Sequence, residues 1–436
     1  MNRQRIGRSN KSAGYHKQLL HAMKKALPSR GLPLQSEDGR VRWTPRLLAM
    51  TAMLMTWQPA QALQDAFVAA REVVVSMYAT RRRPGRSFPG FWSALRKASV
   101  ALRVTVVAAL RKRVKAVAGR TWRMGRWVVM AVDGSRIACP RTAANEAAFG
   151  CAGRAKAPPQ QFLTTIFHLA TGLIWSWRRG PGTAAERDHL RAMTPELPEN
   201  TLLVADAGFV GYDLLTGLVR AGQEFVIRAG ANVRLLRELG YYAREYDGLV
   251  YLWPQAHRDR PPLVLRCLHV KEGSKRMCLL TSVLAASALS DRQMVALYRR
   301  RWVVEVAFRS LKQTMARRNM LSQTPAQAEM ELDWAVMGLW MLGVMTAENV
   351  PRRERDRCSV ACALRAVRQA MRCNGRRPPR RGLGGRLRKA VVDNYVRLHS
   401  KRARNWPHKK KEKPPGLPRI RIATQAEVLI ARRLIA

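Results

Sequence analysis

Trp127-Val128-Val129-Met130-Ala131-Val132-Asp133-Gly134-Ser135 is a short apolar run rich in β-branched residues that leads into a turn signal. β-Branched side chains suit a pleated, buried surface, and Asp-Gly-Ser is turn chemistry. The reading is a buried strand with Asp133 at its C-terminal end. Leu202-Leu203-Val204-Ala205 repeats the pattern and leads into Asp206-Ala207-Gly208-Phe209. Around these lie further candidate strands at Phe162–His168, Leu173–Trp177 and Phe225–Arg228, with short helices expected at Glu186–Met193 and Asp213–Arg220. Strands alternating with helices predict an α/β layer structure. The ends of neighbouring strands let a rigid sheet present side chains to one point, which makes Asp133 and Asp206 candidate functional carboxylates. Taken singly, each also fits a plain turn.

A sharper pattern follows at Tyr298-Arg-Arg-Arg301-Trp-Val-Val-Glu305-Val-Ala-Phe-Arg309-Ser-Leu-Lys312, within a helical pattern that begins at Ser290. On one continuous helix, Tyr298, Arg301, Glu305 and Lys312 fall inside an arc of about 60°, which Arg309 widens to about 80°. Leu297, Val304, Phe308 and Leu311 form the adjoining apolar stripe. One face then packs on a core while the other offers a carboxylate flanked by cations. A carboxylate binds a hard cation, and Arg, Lys and Tyr bind phosphate oxygens beside it. Ion pairs at i, i+4 on a surface helix would explain the charges but not Tyr298.

The chain has 436 residues, 79 Lys plus Arg against 29 Asp plus Glu, and a formal net charge of +50. Its length predicts two to four domains. Such an excess of positive charge repels itself unless a polyanion is present, and nucleic acid is the expected partner. A GC-rich genome that favours Arg and Ala codons accounts for part of the count, and a membrane surface is the weaker alternative. The basic clusters include Arg81–Arg83, Arg299–Arg301, Arg376-Arg377 and Lys409–Lys411. The apolar, uncharged run Trp334–Ala347 is shorter than the roughly 20 residues a bilayer span needs and reads as a buried helix. No secretory leader is visible. Seven cysteines without a C-x-x-C read as reduced cytosolic thiols. No phosphate-binding G-x-x-x-x-G-K-[ST] loop and no H-E-x-x-H occur, which argues against nucleotide hydrolysis and a zinc protease.

The spacing Y-x2-R-x3-E-x6-K, carried by Tyr298, Arg301, Glu305 and Lys312, resembles the YREK signature of bacterial insertion-sequence transposases. These are the DDE enzymes of the insertion-sequence-four type. Chance would produce the pattern roughly 0.02 times in a chain of this composition. The segments around Asp133 and Asp206 look like that family's first and second acidic motifs, and the resemblance covers about 127–347. It implies an RNase H-like catalytic core in which Asp133, Asp206 and Glu305 hold two Mg²⁺ ions, with Mn²⁺ as a substitute. It further implies that Tyr298, Arg301 and Lys312, assisted by Arg309, hold the terminal phosphates of the transposon end. The partners implied are double-stranded DNA, as transposon ends and target, and a second copy of the chain in a homodimeric synaptic complex. A bacterial cytoplasmic, nucleoid-associated location is the matching expectation. In one branch of the family a Trp in the β insertion supports a hairpin intermediate. Here the insertion holds only Trp253, at a spacing that does not match, and Trp253 reads as a core residue.

The expected organisation is a helical basic DNA-binding region over 1–120 and an RNase H-like domain over 121–228 and 284–350. An antiparallel β insertion over 229–283 interrupts that domain, and a basic region over 351–436 follows it. Residues 1–30 are expected to be partly disordered. Pro84-Gly85 and Pro89-Gly90 are expected to break the helices between Thr44 and Gly119. Two other functions fit the residues: an RNase H-like nuclease without strand transfer, and a non-catalytic DNA-binding protein derived from a transposase.

Overall fold

The computed structural model describes residues 14–27, 42–59, 61–78, 83–151, 157–240, 248–272, 275–373, 382–392 and 415–435. Of the basic clusters, Arg81-Arg82, Arg376-Arg377 and Lys409–Lys411 lie outside these residues, as do 1–13 and 28–30 of the segment expected to be disordered. Tyr15–Ala26 within that segment is a helix, α1.

Three more helices follow: α2 (Pro45–Trp57), α3 (Leu63–Met77) and α4 (Phe88–Ala118). Pro84-Gly85 separates α3 from α4, but Pro89-Gly90 does not break the chain. Pro89 sits in the first turn of α4, where its missing N–H has no helical partner to lose.

The α/β region begins with β1 (Val128–Ala138), α5 (Ala143–Phe149), β2 (Gln160–His168), β3 (Leu173–Pro181) and α6 (Glu186–Met193). It continues through β4 (Thr201–Ala205), α7 (Tyr212–Arg220) and β5 (Glu224–Ala229). Then come β6 (Arg234–Arg237), β7 (Leu249–Leu252), β8 (Leu263–Glu272) and β9 (Lys275–Thr281). The strands of the stretch expected as an antiparallel β insertion extend the same sheet, with β9 pairing antiparallel with β5. The single ten-stranded sheet has the order β10-β6-β7-β8-β9-β5-β4-β1-β2-β3, in which β10 (Arg419–Ile422) runs parallel to β6.

The remaining helices are α8 (Asp291–Arg300), α9 (Val303–Arg309), α10 (Pro325–Asn349), α11 (Val360–Arg372), α12 (Leu383–Arg388) and α13 (Gln425–Ile435). Helix α10 contains the long uncharged run and is buried almost all round, as a helix apolar on every face must be. It packs against α2, α4, α11, α12 and β3, which joins the helical layer to the sheet. Asp333 on α10 is the polar tie. It accepts from Trp177 Nε1 at 2.8 Å and pairs with Arg179 and Arg103 at 3.2 and 3.3 Å. No helix among the described residues is long and apolar enough to cross a membrane.

A close approach in the helical layer occurs at Gly338. Trp57 Nε1 donates to the Gly338 carbonyl at 3.1 Å, and a Cβ on Gly338 would stand 3.0 Å from Thr56 Cβ while colliding with its hydroxyl. Gly338→Ala is expected to destabilise by about 1–3 kcal/mol, the ordinary cost of overpacking. Gly217 in α7 is exposed, and a Cβ added there would have nothing within 4 Å. Gly217→Ala is expected to stabilise by about 0.5–1 kcal/mol, because it restricts the unfolded chain at a helical position. Thermal midpoints of the two variants should therefore move in opposite directions.

Candidate active site

Strands β1 and β4 run parallel, with Ala131 opposite Val204 as the last pair. Asp133 and Asp206 each lie two residues further on. Residues two apart along a strand share a face, so in this register the two aspartates stand level at neighbouring strands, whose backbones are spaced about 4.8 Å apart. The local structure at Asp133 differs from the expected turn: β1 continues through Asp133-Gly134-Ser135 to Ala138, because β2 pairs with it from Met130, opposite His168, to Ala138, opposite Gln160. Asp206 does end its strand, and its Oδ1 accepts from the Gly208 N–H at 2.8 Å. Asp133 Oδ1 accepts from the Gly134 N–H, also at 2.8 Å.

Glu305 reaches the same place from α9, which packs on β1. The helix expected from Ser290 to Lys312 is not continuous. Around Arg301 and Trp302 the backbone tightens into i→i−3 bonds, from Arg301 N to the Tyr298 carbonyl and from Trp302 N to the Arg299 carbonyl. From Ser310 to Thr314 it widens into a π turn. The consequence is selective. Arg301 donates from one terminal nitrogen to Asp133 Oδ2 at 3.2 Å and from the other to Glu305 Oε1 at 3.3 Å. Its guanidinium stands 5.7 Å from the centre of the Tyr298 ring. Lys312, in the π turn, is held below its ordinary pKa by burial and then by Arg318 rather than governed by the carboxylates. Arg309 is exposed and makes no ion pair among the described residues. The structure thus gathers Asp133, Asp206, Glu305, Arg301 and Tyr298, and leaves Arg309 and Lys312 outside these contacts.

A further acid joins the group. Glu186 is the first residue of α6, and its Oε1 lies 2.5 Å from where a Gly134 Cβ would stand. Its Oε2 lies 2.9 Å from the corresponding point on Gly208, where Asp206 Oδ1 lies at 3.2 Å. The sequence placed Glu186 at the start of a helix, where an acid is ordinary, and nothing in its spacing tied it to the aspartates. The available signal was a glycine after each aspartate, at 134 and 208.

Electrostatics reflects this crowding. Burial, opposed by Arg301 and the Gly134 N–H, pushes Asp133 up to about 6, with Asp206 and Glu305 adding to the rise. Burial and then the charges of Asp206 and Asp133 push Glu186 up to about 7. Burial works against the charge of Arg301, but Tyr298, Asp133, Asp206 and Glu305 outweigh it and hold its pKa above the ordinary value. The donor set is all hard oxygen, the chemistry of Mg²⁺ or Mn²⁺ rather than of a soft metal.

A cavity of about 750 Å³ has none of these acids in its lining, and Arg187, Arg191, Arg234, Arg258, Arg419 and Arg421 are among its lining residues. Trp253, also on its wall, is 3% exposed and donates to the His257 and Arg260 carbonyls, as a core residue does.

The transposase DDE domain family matches residues 127–341, which span all three motif acids and the β insertion. The chain carries a transposase DDE domain similar to that of insertion-sequence-four transposases. It is 28% identical over 316 residues to the transposase InsG for insertion sequence element IS4 of Escherichia coli (strain K12), covering 66% of this chain and 69% of that protein. A cryo-EM structure of the piggyBac transposase synaptic complex with hairpin DNA overlaps 89% of this chain and 88% of its own at 11% identity and a TM-score of 0.42, too loose a superposition to argue from. This transposase is an enzyme of DNA transposition, and its carboxylate cluster sits inside the matched domain.

Raised carboxylate pKa values fix the sign of a pH effect. Asp133 moves from 3.8 to about 6 and Glu186 from 4.5 to about 7, so the folded state holds these protons where the unfolded chain has lost them. The metal-free transposase therefore loses stability from these two groups as pH rises from about 4 to about 7. Thermal midpoints in chelator should show Asp133→Asn gaining on the wild type across that window. A constant difference would contradict the crowding.

Proposed function

We propose that this transposase cuts DNA at the ends of its element and joins them to a target by cut-and-paste, with Asp133, Asp206 and Glu305 holding two Mg²⁺ ions in an RNase H-like core. Mn²⁺ would substitute. The observation that carries the reading is the level placement of Asp133 and Asp206 on parallel neighbours, with Glu305 linked to Asp133 through one guanidinium. Carboxylates crowded to this degree, with burial raising their pKa values, fit a site built to hold cations. When bound, the ions activate an attacking hydroxyl and stabilise the leaving oxygen of an in-line displacement at phosphorus.

The residues of the chain supply position and charge. The β1–β4 register sets the separation of the two aspartates, and β-sheet placement is more rigid than a loop. Arg301 keeps Asp133 and Glu305 in place before ions arrive. Tyr298, Arg301 and Lys312, with Arg309 at the exposed edge, would hold the phosphates of the transposon end by charge-assisted hydrogen bonds. The arginine-lined cavity beside α6 offers DNA a further cationic surface. Residues 1–120 and 351–436 would add duplex-binding surface around a catalytic domain at 121–228 and 284–350, with 229–283 as its β insertion. A homodimer would hold two ends in the synaptic complex, in the bacterial cytoplasm at the nucleoid.

The test is cleavage and joining of a duplex carrying the element's own terminal repeat, with Mg²⁺. Glu305→Ala, Asp133→Asn and Asp206→Asn are each expected to slow cleavage by roughly 10³-fold or more while leaving repeat binding intact. Lys312→Ala is expected to weaken end binding instead. Cleavage without joined products would favour the nuclease reading. Binding without cleavage by the wild type would favour the non-catalytic one.

A further inference from the structure

We infer that Glu186 is a fourth carboxylate of the metal cluster, ligating on the Asp206 side. The inference rests on the two-ion reading above. Both carboxylate oxygens of Glu186 lie against backbone that only glycine leaves open, at Gly134 and Gly208. A Cβ at either position would crowd the carboxylate, and at Gly134 it would also meet Phe162 Cζ at 2.5 Å. The two glycines come from different elements, and the one thing they share is the carboxylate between them.

Glu186 has no hydrogen bond or ion pair among the described residues, although it is only partly exposed and faces Asp206 and Asp133. A carboxylate beside two others, without a donor, is costly unless a cation fills the space between them. The nearest cationic candidate, Arg136, donates instead to the Gly182 carbonyl at 3.0 Å. The start of α6 favours an acid in its first turn but does not require one beside two other carboxylates. Charge gives the same answer. Three acids with Arg301 among them leave two divalent ions under-neutralised, and a fourth acid brings the protein's share closer to balance before the substrate phosphate arrives.

The test is Mn²⁺ binding to the full chain, read by electron paramagnetic resonance, together with thermal midpoints in chelator. Asp133→Asn serves as the control for the two-ion reading. Glu186→Gln is expected to bind Mn²⁺ about 10- to 100-fold more weakly, the range for disturbed metal ligation. Its metal-free midpoint is expected to equal or exceed that of the wild type, since a repelled carboxylate has been neutralised. Wild-type affinity in Glu186→Gln, with binding lost in Asp133→Asn, overturns the role of Glu186 and leaves the reading standing. Wild-type affinity in both variants overturns the reading, and the inference with it. Should Glu186→Gln not fold, Glu186→Asp keeps the charge but shortens the reach, and the same loss of affinity is expected.

A separate cluster carries a second inference. We infer that Cys267, His269 and Cys278 form a zinc site on the β8–β9 hairpin. His269 lies directly opposite Cys278, and Cys267 is two residues along on the same face. The sulfurs are 3.2 Å apart, Cys267 Sγ is 4.0 Å from His269 Nδ1, and all three ligand atoms lie within 4.8 Å of one another. Zinc at about 2.3 Å from each sulfur in tetrahedral geometry sets them about 3.8 Å apart, a small adjustment. The two thiols are hydrogen-bonded to each other, a contact that a shared metal ion would replace. His269 is exposed, which leaves the fourth position to water.

Cobalt distinguishes this site from the carboxylates, because only thiolate ligands give a near-ultraviolet charge-transfer band. Reduced full-length chain titrated with Co²⁺ is expected to show that band at one equivalent. It should persist in Asp133→Asn and vanish in Cys278→Ser. Absence of the band in the wild type, its survival in Cys278→Ser, or a Cys267–Cys278 disulfide in place of metal uptake would each overturn the site.

Discussion

Carboxylates that must converge repel one another, and here one guanidinium makes the convergence tolerable. Arg301 bonds Asp133 and Glu305 together from opposite ends of its fork. A lysine could not do the same, because its ammonium is a point charge without two fixed, parallel donors. The rigidity of the acids follows from this contact. Asp133 is fixed by the sheet and Glu305 by a helix, and Arg301 lies on the short tightened turn that joins α8 to α9. The break in the helix is therefore what turns Arg301 towards β1 while Glu305 keeps its place one turn further on.

The rest of the fold serves that contact by keeping β1 and β4 from moving. Both strands lie in the middle of the sheet and are buried along their paired lengths. On the helical side, α10 is packed by apolar residues on every face, and Asp333 ties it to β3 and α4 through Trp177, Arg179 and Arg103. Close packing transmits strain rather than absorbing it, so a buried hub of this kind holds the sheet in one register. A one-residue slip between β1 and β4 would turn one aspartate to the opposite face.

Local pattern carried much of this, and long-range geometry the rest. The strands before Asp133 and Asp206, the helix at Glu186–Met193 and the buried helix at 334–347 were readable because each is one unbroken run with its own periodicity. Glu305 was readable because its neighbours recur at helical spacing, although that reading assumed a single continuous helix. The tightened turn at Arg301 and the π turn at Ser310–Thr314 have no periodic signature, and they separate Lys312 from the acids. Pro89-Gly90 misled because proline ends helices in their interior but begins them at the first turn. The β insertion was visible as strands, but its pairing onto β5 is set by contacts between distant segments. Glu186 and the Cys267–His269–Cys278 group were hidden for that same reason. Each is assembled by strand register or crossover, and neither has a characteristic spacing in the chain.

A chain with a net charge of +50 places its functional group in a pocket of negative charge, and the contrast has a physical use. The basic surface draws a polyanion from a distance, since phosphate neutralisation dominates non-specific affinity. Alone, the acids would repel the same backbone at close range. Divalent ions held there, as proposed, would invert the local sign and admit a phosphodiester only where metal is bound. Cation-rich surface and acid-rich centre are thus one device: the first gives attraction to any DNA, and the second confines the chemistry to a metal-loaded site. Tyr298 and Arg301 sit at the border between the two regimes. On the proposed function, that border is where a phosphate leaving the basic surface would first meet the acids.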